Sequence, residues 1–266
     1  MPDFPIPPPA DTGSAFAITA DHLLNGRVRF FQPGHGYRAA VDPVFLAAAL
    51  RAPAGGAVVD LGCGAGAASL CLLARCPALG RVVGVERVPA LARLAAINAA
   101  ANGWETRFLP LAADLAALPL APAGRWRGFD GALCNPPYLP AGAHTASANG
   151  LKAAAHGEDA TMPLALWLKV AARLLAPGGR LAMIHRADRL DSLLAGLGER
   201  FGSVRIFPLW PRSGVAAGRV VITARRGGKG PLRLLPGLAL HRDDGGFTAP
   251  AMAILREGAS MEEACG

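Results

Sequence analysis

The chain has 266 residues, 52% of them hydrophobic and 17% charged, enough apolar material for a sizeable core. No apolar run of about 18 residues escapes a charge or a Gly/Pro break, the N-terminus lacks the basic and apolar regions of a secretory signal, and no cysteine pair has CxxC spacing. These features argue against a membrane span, secretion and a structural zinc, and point to a reduced cytoplasmic protein.

The formal net charge is +8, and only three of the 27 basic residues are lysine (Lys152, Lys169 and Lys229). From Arg180 to Arg242, twelve Arg/Lys stand against three Asp/Glu. Such a balance suits a polyanion such as nucleic acid, though an arginine-rich solvated surface explains it equally well.

In chain order, residues 1–20 carry five prolines by position 9 and read as a flexible tail. Residues 21–266 read as one domain, with a core at about 40–225 and a C-terminal extension at 227–266. Asp21 to Phe31 suggests a strand pair, closed by a turn at Gln32-Pro33-Gly34-His35-Gly36. Asp42 is placed to cap a helix whose first position is Pro43. From Ala57 the pattern alternates. Strands are expected at Ala57–Leu61, Arg81–Val85, Thr106–Leu109, Phe129–Cys134 and Arg180–Ile184. Helices are expected at Ala67–Arg75, Pro89–Ala101, Pro163–Leu175 and Arg189–Arg200. Ser203–Leu209 and Arg219–Ala224 are separated by a loop too short for a crossover, so they pair antiparallel. The implied fold is α/β: a Rossmann-like, doubly wound sheet, mostly parallel, with an antiparallel last strand. Leu232–Leu240 suggests a further strand and Ala249–Glu257 a short helix.

Asp60-Leu61-Gly62-Cys63-Gly64-Ala65-Gly66 joins a buried strand to a helix. Gly62, Gly64 and Gly66 let the backbone turn tightly and approach a ligand. Asp60 precedes the turn and can accept from a ligand amino group, directly or through water. Glu86, 26 residues later at the next strand end, is placed to take both hydroxyls of a ribose. Asp114 follows the third strand and is placed either to accept from an adenine amino group or to cap a turn. This stretch resembles the class I S-adenosylmethionine-dependent methyltransferases over roughly residues 40–225. The resemblance implies S-adenosyl-L-methionine as cofactor, with its methionine part at the glycine loop, ribose at Glu86 and adenine at Asp114.

Asn135-Pro136-Pro137-Tyr138 ends the fourth strand, where a site beside a cofactor belongs. The two prolines fix the backbone and remove two donors. An exocyclic amine is a poor nucleophile because its lone pair is delocalised into the ring. The Asn135 side-chain oxygen and the Pro136 carbonyl can accept its two hydrogens and favour a pyramidal nitrogen aligned with a methyl donor. Tyr138 can stack on a planar substrate. Cys134 points the other way and reads as packing. The motif resembles amino-methyltransferases acting on adenine N6, cytosine N4 or a glutamine amide.

The flanks narrow the choice. Leu24 to Arg29, Gln32 to Arg38 and Val41 to Ala47 resemble the bacterial tRNA1(Val) adenine-N6 methyltransferases, as do Arg219 to Ile222, Lys229 to Leu232 and Leu240 to Arg242. That resemblance implies N6 methylation of the adenine just 3′ of the tRNA anticodon. It also places Tyr37, Arg38 and Asp42 near the cofactor's methionine end; for Asp42 a structural helix start is an equal reading. Lys152, His156, Arg212, Arg219, Arg225, Arg226 and Lys229 are expected on the RNA-facing surface, with the flipped adenine beside Pro137 and Tyr138. His35 and His144 lie in loops without metal-ligand spacing, and no metal is assigned. Two alternatives stand. A release-factor glutamine methyltransferase shares Asn-Pro-Pro-Tyr but carries a helical N-terminal domain, for which the roughly 56 residues before the first core strand leave little room. The other is a catalytically silent RNA-binding protein on the same fold.

Overall fold

The structure, a computed structural model, describes residues 17–35, 39–118, 128–137, 139–140, 157–158 and 163–265. The expectations for residues 1–16, Gly36, Tyr37, Arg38, Tyr138, His144, Lys152 and His156 lie outside them.

An antiparallel hairpin comes first, β1 (Ile18–Leu23) on β2 (Val28–Pro33). It begins three residues earlier than the sequence pattern implied. Helix α1 (Asp42–Ala49) follows. The alternating core then runs β3 (Ala57–Leu61), α2 (Ala67–Arg75), β4 (Arg81–Glu86), α3 (Pro89–Ala101), β5 (Phe108–Ala112) and β6 (Phe129–Cys134). Beyond the short pairing of β7 (Leu139–Pro140) with β8 (Gly157–Glu158) come α4 (Leu164–Leu174), β9 (Leu175–Arg186), α5 (Leu190–Leu197), β10 (Phe201–Trp210) and β11 (Arg219–Arg226).

Among the described residues the main sheet has nine strands, in the order β12-β10-β11-β9-β6-β3-β4-β5, with β13 also on β10. Here β12 is Arg233–Leu234 and β13 is Leu238–Ala239. Strands β3, β4, β5, β6 and β9 are parallel, and β11 is antiparallel to both β9 and β10. This is the expected sheet, with the antiparallel strand inserted between β9 and β10. The central strands are buried on both faces, which is why Ala57–Leu61 reads as a continuous apolar run rather than an alternating one. Val58 and Val82 face one core with α1, α2 and α3; Val59, Leu61, Val83 and Val85 face another with α4 and α5. Leu164, Trp167, Leu168 and Ala171 recur at helical spacing and form the buried stripe of α4.

Three differences from the sequence expectations have local causes. The third core strand starts at Phe108 rather than Thr106, because Arg107 and Phe108 first close a turn onto the Trp104 carbonyl. The segment Leu232–Leu240 is two short strands, since Pro236-Gly237 breaks it and Gly237 adopts φ +77°. Its glycine is obligatory there, because a Cβ would lie 2.1 Å from the Pro208 carbonyl oxygen. The extension also belongs to the core: helix α6 (Ala249–Met252), the π turn Ala253–Glu257 and helix α7 (Met261–Cys265) bring Ala251, Ile254 and Met261 to complete burial beside α1. Helix α7 was not foreseen.

The hairpin is attached to the core by two asparagines one turn apart on α3. Asn98 Oδ1 accepts the Phe31 N–H at 2.7 Å, and its Nδ2 donates to the Phe31 carbonyl at 2.8 Å and the Ala65 carbonyl at 2.9 Å. Asn102 makes the corresponding pair with Arg29, at 2.9 and 2.8 Å. A helix cannot continue a sheet, so the two carboxamides stand in for the next strand and satisfy the outer edge of β2. Asn98 is fully buried. Asn98→Ala is expected to strand three backbone groups and cost about 2–4 kcal/mol, read as a lowered denaturant midpoint. Asn102→Ala, at a half-exposed site, is expected to cost less than half as much.

Candidate active site

The parallel strands end along one rim of the sheet, and their register sets what meets there. Leu61 of β3 pairs with Cys134 of β6 on one side and with Val85 of β4 on the other. The residues that follow are therefore neighbours: Glu86 ends β4, while Gly62 and Asn135 come directly after β3 and β6, three strands that lie side by side. Glu86 in turn pairs with Ala112 of β5, two residues before Asp114. The glycine loop, the two acids after β4 and β5, and the Asn-Pro-Pro segment thus share one edge. Cys134 is fully buried, as alternation implied.

The glycine turn is held from three sides. The Gly62 and Cys63 N–H groups both donate to the Val85 carbonyl, at 2.8 and 3.0 Å. Gly66 has φ +91° and begins α2; a Cβ there would stand 2.5 Å from the Phe108 ring. Gly62 has φ +66°, and a Cβ there would meet Trp167 of α4 at 2.7 Å. Glu86 accepts the Gly64 N–H at 2.9 Å through Oε2 and the Val88 N–H at 2.8 Å through Oε1. It therefore organises the loop as well as facing the ligand space. Each carboxylate oxygen retains a second lone pair for a ligand hydroxyl.

Asp60 is 2% exposed and accepts a hydrogen bond from the Ser69 hydroxyl at 2.6 Å. Burial pushes its carboxyl up to about 7; the Ser69 hydrogen bond opposes this, and the nearby Glu86 charge adds to it. Glu86 is raised too, mainly by burial, against the backbone hydrogen bonds from Val88 and Gly64. Two buried carboxylates side by side disfavour joint ionisation. A positive charge beside them would favour the ionised form of both.

Other expected site residues divide. Asp114 is exposed, and its Oδ1 accepts the Ala116 N–H at 2.8 Å, capping the 3-10 turn Leu115–Ala117. Asp42 does not cap α1: Val41 occupies the N-cap, and Asp42 lies in the first turn, where its carboxylate meets Arg219 Nε at 3.2 Å. Arg219 starts β11 opposite Arg186, so this pair stands on the site rim. Arg212 is exposed just past the end of β10, also at that rim.

Arg225, Arg226 and Lys229 do not join the rim. Because β11 runs antiparallel, Arg225 pairs with Arg180, just past the irregular stretch of β9, at the opposite end of the sheet. Arg226 donates to the Leu175 carbonyl there. The expectation of one surface joining these residues to Arg212 and the Asn-Pro-Pro loop is corrected by strand polarity. Trp210 is half-buried, donates to the Pro236 carbonyl at 3.1 Å and lines a cavity of about 480 Å³. Among the described residues no group of three or more His, Cys, Asp or Glu is arranged to hold a metal.

Sequence reasoning missed Ser69, Asn98 and Trp167, which hold Asp60, the Ala65 carbonyl and Gly62 in place. The first two left a faint signal: each is a polar residue on a buried face of an Ala/Leu-rich helix.

The family described as methyltransferase small domain matches residues 40–208. A tRNA1(Val) (adenine(37)-N6)-methyltransferase of Porphyromonas gingivalis is 34% identical over 166 residues, spanning 61% of this chain and 64% of that protein. The match thus leaves more than a third of that relative's length unmatched. A release factor glutamine methyltransferase of Rhodospirillum rubrum is 32% identical over 185 residues, 67% of this chain and 53% of that one. The crystal structure of a protein described as a predicted O-methyltransferase, from Agrobacterium tumefaciens, superposes with a TM-score of 0.66 at 25% identity, covering 82% of this chain and 97% of that chain.

The raised Asp60 carboxyl has a measurable consequence. A folded-state value of about 7 against an ordinary 3.8 means that the folded chain holds a proton the unfolded chain has released. The associated stability is fully present below pH ~4 and is lost as pH rises through ~7, with about 4 kcal/mol at stake. Asp60→Asn is expected to remove this decline and to raise the melting temperature of the ligand-free protein at pH ~8. Thermal denaturation of both proteins across that pH range checks it; parallel curves for the two would refute the assignment.

Proposed function

The chain belongs to the methyltransferase small domain family, and from that premise we propose that it transfers a methyl group from S-adenosylmethionine to the exocyclic N6 amine of adenine in tRNA, next to the anticodon of tRNA1(Val). The observation that carries this reading is the register that sets Asn135, at the end of β6, beside Gly62, at the end of β3.

The residues present fit the cofactor. It is a cation with a ribose diol, and Asp60 and Glu86 form a buried acidic pair that calls for positive charge and hydroxyl donors. Glu86 would take the ribose hydroxyls while holding Gly64, the glycine loop would bound the methionine part, and Asp114 would accept from the adenine amino group. Asp42 and Tyr37 are assigned to the methionine end. When bound, S-adenosylmethionine supplies an electrophilic methyl group on a sulfonium.

The chain's contribution to the chemistry is placement. The Asn135 side-chain oxygen and the Pro136 carbonyl accept the two amine hydrogens. This draws the nitrogen out of conjugation and aims its lone pair at the methyl carbon. Pro136 is buried and Pro137 half-buried, and neither has an N–H to compete for those acceptors. Tyr138 stacks on the base. Arg212 and Arg219 supply positive charge on the same rim, with Lys152 and His156 assigned to the RNA as well.

The reading is supported by the basic rim and by the relative that carries the tRNA1(Val) name. It is tested by radiolabelled methyl transfer to total tRNA and to a release-factor fragment, followed by mass spectrometry of the digests. N6-methyladenosine in the tRNA digest is expected, and methylglutamine in the peptide would replace this reading with the other. Asn135→Ala is expected to lower turnover about 10²–10³-fold while cofactor affinity stays within a few-fold of wild type. Near-normal turnover would remove Asn135 from its role.

A further inference from the structure

At the end of the sheet opposite the active site lies a cleft of about 520 Å³. Its floor is irregular for a defined reason. Between Phe129, paired with Leu175, and Gly131, paired with Arg180, strand β6 has one residue, Asp130, and β9 has four. Those four, Ala176-Pro177-Gly178-Gly179, bulge outward, with Gly178 at φ +75°, and line the cleft. Three strand or helix ends then bring Arg51, Arg180 and Arg225 to its walls.

The local charge is unbalanced. Glu262 of α7 pairs with Arg51 at 3.1 Å and also with Arg205 of β10. Asp130 is the acid of the lining, and its Oδ2 accepts the Ala57 N–H at 2.9 Å. With Glu263 also in electrostatic reach of Arg51, four guanidinium groups stand against three carboxylates, and among the described residues no ion pair engages Arg180 or Arg225. The Arg180 guanidinium is held below its ordinary value first by burial and then by the like charge of Arg225; Glu262 opposes this, and Arg51 and Arg205 add to it. Like charges crowded around open space are relieved by an anion entering it. Guanidinium groups converging from different elements suit the several oxygens of a phosphate.

We propose that this cleft is a phosphate-binding site, formed by Arg51, Arg180 and Arg225, that grips the backbone of the RNA substrate away from the methylated base. The RNA source rests on the proposed tRNA activity; the phosphate chemistry does not. Arg219 on the catalytic rim and Arg225 at the cleft are six residue steps apart on β11, about 20 Å along a strand. One RNA molecule can therefore reach both ends, and the cleft adds affinity and register without touching the reacting atoms.

The test compares wild type with Arg180→Gln/Arg225→Gln, and with Arg225→Gln alone should the double variant fail to fold. Neither residue belongs to the methyl-transfer site, so cofactor affinity is expected to be unchanged. Affinity for tRNA, measured between about 50 and 200 mM salt, is expected to fall about tenfold at the low end, and the slope of log K against log salt to flatten by about 1–2. Inorganic phosphate is titrated in parallel by calorimetry. Unchanged tRNA affinity and slope, with no phosphate heat in wild type, overturn the proposal. Phosphate heat lost in the variant with tRNA binding unaltered upholds the anion site and overturns RNA as its source. Methylation of the same tRNA by wild type is read alongside. Its absence defeats the tRNA activity, while the phosphate titration still reports on the cleft.

Discussion

Two buried carboxylates at the ends of neighbouring strands set the terms for the catalytic rim. Asp60 and Glu86 lie within each other's electrostatic reach, and both are raised by burial. Glu86 cannot move away, because its oxygens hold the N–H groups of Gly64 and Val88. Asp60 is fixed by Ser69. The pair is thus a buried acidic cluster held in place by the fold, and a cation beside it would offset the cost of burying both charges. The same hydrogen bonds that place the carboxylates also shape the glycine turn. Carboxylate placement and loop geometry are consequently one network rather than two.

That network is braced from outside by the hairpin. Asn98 touches both the Phe31 backbone and the Ala65 carbonyl, so the position of β2 and that of the glycine loop are read by a single carboxamide. Gln32 extends the brace: its Nε2 donates to Asp21 and its Oε1 accepts the Ala39 N–H, which leads into α1. Asp42 at the start of α1 then meets Arg219 of β11. A continuous chain of polar contacts therefore runs from the glycine loop through the hairpin to the far side of the rim.

Much of this was legible in the sequence, and the failures have physical reasons. Strands such as Ala57–Leu61 announce themselves because burial on both faces demands an uninterrupted apolar run. The Asn135 segment is recognisable because two prolines after a strand leave few conformations. Asp42 was misplaced because Asp before Pro is the usual cap pattern, yet the tertiary pairing with Arg219 takes its carboxylate elsewhere. Ser69 and Asn98 were invisible as functional residues because their partners are backbone and carboxylate groups 9 to 67 residues away in sequence. Helix α7 is five residues long and is held by tertiary packing, so propensity alone could not announce it.

The arginine-rich C-terminal third shows a subtler limit. Read along the chain, twelve basic residues from Arg180 to Arg242 look like one surface. The sheet folds that segment back on itself, so alternate ends of β9, β10 and β11 deliver charge to opposite edges. Arg186, Arg212 and Arg219 go to the catalytic rim, while Arg180, Arg225 and Arg226 go to the far end. A single basic patch would attract RNA without fixing its orientation. Two patches separated by the length of a strand would also fix a direction for a polyanion held at both of them. The antiparallel strand that closes this fold therefore does more than fill a sheet edge, since its polarity divides the charge between the two ends.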